Sequence, residues 1–415
     1  MEKKVDIKKN VLLNTVGSVF YCACQWILTV LVVRLDSLES SGYLSLAMTT
    51  SSSFSAISLF GMRNFQVSDV NEEYSSSEYY GSRIVTCFVA QITCMLYAAV
   101  MTESSNNFWG ITLFMLVRIA EAFADVFHGI NQKHDRYDLI GLSYILRGIF
   151  TVISFAIVLS VTHDLVVTLL IMAVLNLVVV VVFDRMATGK LENIKPKVFN
   201  KHIYKLIITC VPLVVFTFLL NMENLIPKNL LESLYGADEL GIYASIASPT
   251  LVIQVMASVI FNPFLPGFTK LYKDGKIEEF KKTFHRILLA LAGMGIVAII
   301  VGKIVGRFGL KILFGEMILE YYYLFIPIVW CTILTAMVWI ISSIVIAIRQ
   351  IKSLLIGMVF DFSLCAAIAT PLVKHYDKNG VSIVQIISYT VLIIYMIFIC
   401  EITTNREQRK RGKEV

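Results

Sequence analysis

Three ionisable residues stand inside one apolar run: Arg118, Glu121 and Asp125 in the stretch RIAEAFAD. Spacings of three and four place them on one helix face, within an arc of about 60°. The next apolar run carries Arg147. A charge at the centre of a bilayer costs on the order of 3 kcal/mol even on the lenient insertion scale. Such a face cannot point at acyl chains; it points into a helix bundle or a water-filled cavity. Two kinds of chemistry fit. One is a buried ion-pair network that ties helices together. The other is an anion site, because a guanidinium grips phosphate in bidentate fashion and never loses its proton. Helix rise puts Glu121 about 10 Å and Arg147 about 9 Å from the cytoplasmic ends of their antiparallel runs. Glu121 and Arg147 are therefore expected to pair, leaving Arg118 as the freer cation.

Two more carboxylates are embedded in apolar runs, Asp361 and Glu223. Both are candidates for proton or sodium coupling; a helix-ending or water-facing carboxylate is the plainer reading of Asp361. Asn221, Glu223 and Pro227 are expected to kink or interrupt the seventh run, as in transporters whose broken helices flank a binding site. The second run holds Ser45, Thr49, Thr50, Ser51, Ser52, Ser53, Ser55 and Ser58. These hydroxyls either line the same cavity or serve helix packing.

The elements that position these residues follow from composition. Of 415 residues, 57% are apolar and only 16% charged, and the mean hydropathy is +0.74. Soluble domains are nearer 45–50% apolar and about 25% charged. The chain is therefore expected to be an all-α integral membrane protein. Apolar runs fall at about 11–34, 43–62, 83–101, 109–128, 141–162, 165–183, 204–222, 241–262, 287–306, 322–347, 354–373 and 381–401. That predicts about twelve transmembrane helices. With the N-terminus inside, the outer stretches hold only Arg34, Lys228, Lys303, Arg307, Lys311, Lys374 and Lys378 of the 36 Lys and Arg; Arg118 and Arg147 lie within spans, and the rest face the cytoplasm. This is a positive-inside pattern for an even number of spans. Lys3, Lys4, Lys8 and Lys9 precede a first run too long for a signal-peptide core, so that run is read as a retained span.

The densest inner stretch between spans, Asp184 to Lys205, falls near mid-chain. The expected organisation is an N-terminal six-helix lobe over 1–184, a cytoplasmic connector over 185–203, a C-terminal six-helix lobe over 204–401 and a basic cytoplasmic tail over 402–415. Short internal matches agree: Gly42-Tyr43 with Gly241-Ile242-Tyr243, and Leu139-Ile140-Gly141 with Leu355-Ile356-Gly357. The stretch 270–286, with Leu271, Ile277, Phe280 and Phe284 at helical spacing, reads as an interfacial helix on the inner leaflet.

Several function classes are excluded. The eight cysteines sit in or beside apolar runs, and Cys22-x-Cys24 lacks a second ligand pair, so no zinc site is expected. No histidine pair has metal-ligand spacing. No phosphate-binding Gly-x4-Gly-Lys-Ser/Thr loop is present. No outer loop exceeds about twenty residues, short of what a membrane-embedded glycan polymerase needs for catalysis. Nothing fits a cofactor or nucleic acid. A secondary transporter is the remaining class.

Three stretches carry more. Residues 118–147 place Glu121, Ala122 and Asp125, then Gly129 and Gln132, then Arg136 and Asp138, then Arg147 in an E-A-x-x-D, G-x-x-Q, R-x-D, R order. Residues 63–69 read RNFQVSD, and Asn224-Leu225-Ile226-Pro227-Lys228 is followed by Glu232, Gly236 and Glu239-Leu240-Gly241-Ile242-Tyr243. Together these resemble the bacterial polysaccharide-biosynthesis flippases, a branch of the multidrug/oligosaccharidyl-lipid/polysaccharide exporter superfamily. The resemblance covers roughly residues 7–400. It implies two six-helix lobes in a V around a central cationic cavity, in the bacterial cytoplasmic membrane. It also implies a polyprenyl-pyrophosphate-linked glycan as substrate, flipped by alternating access for capsule or O-antigen synthesis. Arg118 and Arg147, with Arg63 near the inner mouth, would attract the pyrophosphate, and Glu121 and Asp125 would border the cavity. Membrane lipids, a proton or sodium ion, and polymerase and glycosyltransferase proteins are the partners such a role implies. A drug/cation antiporter of the same fold, with an acidic cavity, is the first alternative and a membrane-embedded glycan polymerase the second; the glycan itself stays open.

Overall fold

The computed structural model describes residues 7–69, 73–192, 194–198, 201–261 and 264–411. Lys3, Lys4, Lys413, parts of the expected connector and the last residue of the expected eighth span lie outside the described residues. Among the described residues there is no strand. The helices are α1 (Ile7–Leu35), α2 (Leu38–Leu59), α3 (Met62–Ser68), α4 (Ser76–Met101), α5 (Ser105–Lys133), α6 (Tyr137–Thr162), α7 (Leu165–Val179), α8 (Arg185–Gly189), α9 (Lys201–Tyr235), α10 (Ala237–Ala247), α11 (Leu251–Phe261), α12 (Leu265–Lys273), α13 (Ile277–Phe314), α14 (Phe325–Ala347), α15 (Ile351–Tyr376) and α16 (Lys378–Arg411). A π-helical turn, Val180–Asp184, joins α7 to α8.

Among the described residues ten of the helical stretches are long and apolar enough to cross a membrane. The two expected spans missing from that set are the two polar ones. Helix α2 has 22 residues and α5 has 29, but α2 is rich in Ser and Thr and α5 carries the three charges. With these two, the count agrees with the twelve expected spans. Burial of α2 is made tolerable by its own backbone. Thr49, Ser53, Ser55 and Ser58 donate to the carbonyls of Ser45, Thr49, Ser52 and Ser55 at 2.7–3.1 Å. A hydroxyl satisfied within its own turn carries no desolvation penalty into an apolar interface.

Contacts divide the chain into two compact units, Met1–Asn221 and Met222–Val415. The boundary falls within α9, half a helix beyond the charged stretch 185–203. In the first unit α1 lies along α6, and α2 and α4 pack on α5. The α1–α6 approach is set by glycine: a Cβ on Gly17 would strike the Gly141 carbonyl, and one on Gly141 the Leu13 backbone. Helix α2 stops at two consecutive left-handed residues, Phe60 (φ 51°) and Gly61 (φ 60°), which turn the chain into α3. Ser37 caps α2 and Asp164 caps α7, each side chain accepting from first-turn N–H groups.

In the second unit two expectations are corrected. Helix α9 runs through Asn221, Glu223 and Pro227 without interruption. The break falls instead in the next span, where Ser248-Pro249-Thr250 forms a 3-10 turn between α10 and α11, and Thr250 and Thr332 hydroxyls meet at 2.8 Å. Proline at that turn supplies no N–H to continue the α-helical ladder. The interfacial helix expected over 270–286 is not one element either. Helix α12 ends at Lys273, and Ile277 already opens α13, whose Phe280 and Phe284 are buried, with Phe280 against Phe268 of α12.

Candidate functional site

In the first unit the predicted charged residues converge on α5. Arg118 Nη1 lies 2.8 Å from Glu121 Oε2, and its Nη2 donates to Ser52 Oγ of α2 at 3.2 Å. The Tyr21 hydroxyl of α1 donates to the other Glu121 oxygen at 2.5 Å. The expected Glu121–Arg147 pair is not formed: Arg118 takes that carboxylate. The reason is local, since residues three apart on one helix meet at no packing cost, whereas Arg147 lies on a neighbouring helix. Arg147 sits instead between two rings, its guanidinium carbon 5.0 Å from the Tyr21 centroid and 5.2 Å from that of Tyr144. It is 1% exposed. A desolvated guanidinium over aromatic faces is held by the ring quadrupoles. The freer cation of the two is thus not Arg118 in the sense expected; Arg118 is paired, and its side chain keeps 17% exposure.

Asp125 gathers two arginines. Arg83 Nη2 is at 2.9 Å and Arg63 Nη1 at 3.5 Å. Arg83 also donates to the Ser58 carbonyl at 2.5 Å, and Arg63 to Gln132 Oε1 at 3.1 Å. Arg83 is fully buried, while the Arg63 side chain is 25% exposed. Arg83 was not legible as a site residue because it opens its apolar run, where a charge reads as belonging to the loop. Its signal was available in α4 itself, since Glu78 and Arg83 both precede a long uncharged stretch.

The motif glycine and glutamine acquire reasons. A Cβ on Gly129 would strike the Gln66 side chain, whose Nε2 donates to the Val126 carbonyl at 3.3 Å. Gln132 positions Arg63. Arg136 grips Asp138 with two bonds of 2.9 and 2.8 Å. One further buried pair was not anticipated: His128 Nε2 and Asp184 Oδ1 are 3.6 Å apart, each about 1% exposed.

In the second unit Glu223 on α9 and Asp361 on α15 are both buried. Their carboxyls interact electrostatically with each other. Among the described residues no N–H or O–H donates to any of their four oxygens. One turn along α15, Cys365 Sγ contacts the Glu223 carbonyl at 3.8 Å. Beside them Gln385 donates to Asn224 at 2.8 Å. The start of α16 is tied by Lys378, which pairs with Glu239 and Asp377. Seven of the eight cysteines are buried; Cys22 is exposed.

This is an all-α, multi-pass membrane protein whose charged side chains on α5 are met by partners from neighbouring helices. Solved structures share the fold. A multidrug resistance MATE-family transporter of the MOP superfamily, in an inward-facing conformation, aligns over 96% of this chain and 99% of its own with a TM-score of 0.71 at 11% identity. The lipid II flippase MurJ, inward closed, aligns over 96% of this chain and 90% of its own, again at 0.71, with 12% identity. A MOP superfamily transporter from Pyrococcus furiosus aligns over 97% of each chain at 0.63, with 12% identity. These likenesses establish a shared fold. The capsular polysaccharide biosynthesis protein CapF of Staphylococcus aureus is 28% identical over 305 residues, 72% of this chain and 76% of that protein. Residues 7–272 match the polysaccharide biosynthesis protein family, and the chain belongs to that family.

Proposed function

We propose that this protein is a flippase that moves polyprenyl-pyrophosphate-linked oligosaccharide repeat units from the inner to the outer leaflet of the bacterial cytoplasmic membrane by alternating access. The observation that supports the reading is the gathering of four arginines, Arg63, Arg83, Arg118 and Arg147, around α5, two of which, Arg63 and Arg118, keep partly exposed side chains. A planar guanidinium with free surface can take phosphate oxygens in bidentate fashion. Unaided, a glycan with two phosphates would cross hydrocarbon at many kcal/mol, since each polar group is stripped of water without replacement.

Residue roles follow from exposure. Arg118 and Arg63 keep partly exposed guanidiniums and are the groups that contact phosphate oxygens. Arg147, sealed between Tyr21 and Tyr144, contributes its charge at a distance and holds Tyr21 on Glu121. Glu121 and Asp125 orient the arginines. The Glu223–Asp361 pair is the coupling site: two buried, interacting carboxyls are held together by a shared proton or a sodium ion. Both termini lie in the cytoplasm, in keeping with the distribution of Lys and Arg. The protein performs no covalent chemistry in this role; glycosyltransferases supply its substrate and a polymerase takes its product. Partly exposed guanidiniums at Arg63 and Arg118 disfavour a drug/cation antiporter.

The test is reconstitution in vesicles carrying a fluorescent polyprenyl-pyrophosphate oligosaccharide, with appearance in the opposite leaflet read by a membrane-impermeant quencher. The wild type is expected to equilibrate the lipid between leaflets. R118A is expected to abolish transfer with the protein still present in the vesicles. Export of cationic dyes without movement of the glycolipid would overturn the proposal in favour of the antiporter.

A further inference from the structure

The arginine network does not use one buried pair in the same unit. His128 lies on α5, one turn past Asp125. Asp184 is the last residue of the π-helical turn Val180–Asp184. The imidazole Nε2 and Asp184 Oδ1 are 3.6 Å apart. Neither Asp184 oxygen nor His128 Nε2 has a hydrogen-bond partner among the described residues. Single π turns inside α-helices are frequently found at functional sites. A buried carboxylate with no donor is an expensive group to keep for packing alone.

The surroundings are specific. From α6 the Tyr144 ring meets the imidazole edge-on at 5.0 Å, with Arg147 on another side of that ring. From α3 come Arg63 and Gln66; Arg63 and Arg147 are the cations whose charge reaches His128. From α4, Arg83 stands one turn back, on Asp125. From α1, Tyr21 lies beyond Arg147. From α8, Thr188 donates to Asn131 Oδ1 at 3.1 Å. Asp184 is the carboxylate paired with the imidazole, Asp125 one turn back on α5 is engaged by Arg83 and Arg63, and the Asp184 charge offsets one of two nearby arginines.

We propose that His128 and Asp184 form a proton-binding site in the first unit, and that its loading is linked to binding of an anionic head group at the neighbouring arginines. Uptake is simple in balance: one proton passes from water to the imidazole, and no other bond changes. With the imidazole neutral, ionised Asp184 cancels one unit of arginine charge. With the imidazole protonated, Asp184 is spent on its own partner, and the arginines present one more uncompensated positive charge. Proton and anion therefore bind cooperatively, and by reciprocity the anion raises proton affinity by the same factor. The linkage rests on the head-group reading; the proton site does not.

The experiment uses the full chain in nanodiscs with isotope-labelled histidine, read by nitrogen chemical shifts. H128Q identifies the His128 signal. That signal is expected to change as the imidazole gains a proton on acidification, and D184N is expected to remove the change. Inorganic pyrophosphate is expected to move the midpoint upward by about a fivefold change in proton affinity, and R118A to weaken that response. A His128 signal fixed as one neutral tautomer throughout overturns the proton site, and the wild type alone decides this whatever the variants do. Titration with a midpoint indifferent to bound pyrophosphate overturns the linkage. Titration with no pyrophosphate binding by calorimetry sinks the head-group reading and leaves the proton site standing.

Discussion

The two units bury ionisable groups in opposite ways. In the first, charges of both signs interlock: Arg83 and Arg63 on Asp125, Arg118 on Glu121. In the second, two groups of the same sign face each other, Glu223 and Asp361, with no donor among the described residues. The energetic logic differs accordingly. Breaking an opposite-sign pair strands a buried charge and costs more than the pair ever contributed. Replacing one of two like groups by a neutral one removes the need for a shared proton or ion and strands no charge. The first unit is therefore fragile to substitution at its network, and the second is tolerant at its acid pair. If the pair is kept despite its cost, the reason lies in what it binds.

The strongest way to break this comparison is Asp125→Ala. It leaves Arg83, which has no exposed side-chain surface, without a carboxylate. Loss of one partner of such a buried pair costs about 3–5 kcal/mol, enough to deplete folded protein from the membrane. Thermal unfolding of purified protein in detergent reads the effect; an unchanged midpoint would mean that Asp125 is not what neutralises Arg83.

Next in size is Gly129→Ala. The added methyl meets the Gln66 side chain, and overpacking at a filled contact costs about 1–3 kcal/mol. The double variant with Gln66→Ala is expected to recover part of the loss, because the obstructing atoms are gone. Strictly additive losses would show that the close approach of α3 to α5 does not set the position of Arg63.

On the second unit the expected stability effect is smaller and opposite in sign. Glu223→Gln replaces one of two facing carboxyls with a neutral amide of the same shape. Its unfolding midpoint is expected to equal or exceed that of the wild type, while glycolipid transfer driven by an ion gradient falls. A stability loss comparable to that of Asp125→Ala would show that Glu223 is structurally paired and erase the contrast.

How far the sequence carried these features differs residue by residue. Helix positions and the convergence of Arg118, Glu121 and Asp125 were legible, because hydropathy and a three-to-four spacing are one-dimensional signals. Glu121's partner was not. Depth in the membrane brought Arg147 near, but spacing cannot tell which of two arginines wins a carboxylate, and the intrahelical one did. Arg83 and Asp184 were hidden for another reason: both sit at the margins of apolar runs, where charge is ordinary. Only packing of α4 and the π-helical turn onto α5 shows that these margins are buried. The interruption expected at Pro227 appeared at Pro249 instead. Prolines are visible in sequence, but which of them a helix absorbs is decided by neighbouring helices.

The smallest effect concerns a charge outside the membrane, at the turn that carries Arg63 toward α4. Asp69 follows α3 and accepts from the backbone N–H groups of Glu73 and Tyr74, both at 2.9 Å, and from the Tyr79 hydroxyl at 3.2 Å. Burial pushes its carboxyl up, but those three bonds and the nearby Lys133 outweigh burial and hold it below the usual carboxylate range. A group depressed on folding stabilises the native state above its unfolded value, about 3.9 for aspartate, and that contribution is lost as pH falls through the folded value. Asp69→Asn is therefore expected to lower the unfolding midpoint slightly at pH 6, with the gap to wild type closing as pH drops below about 4. Both proteins should share one profile if the turn draws nothing from the charge. Because Asp69 touches neither the α5 network nor the acid pair, its variant also serves as the control that separates acid sensitivity of the turn from protonation at His128 and Asp184.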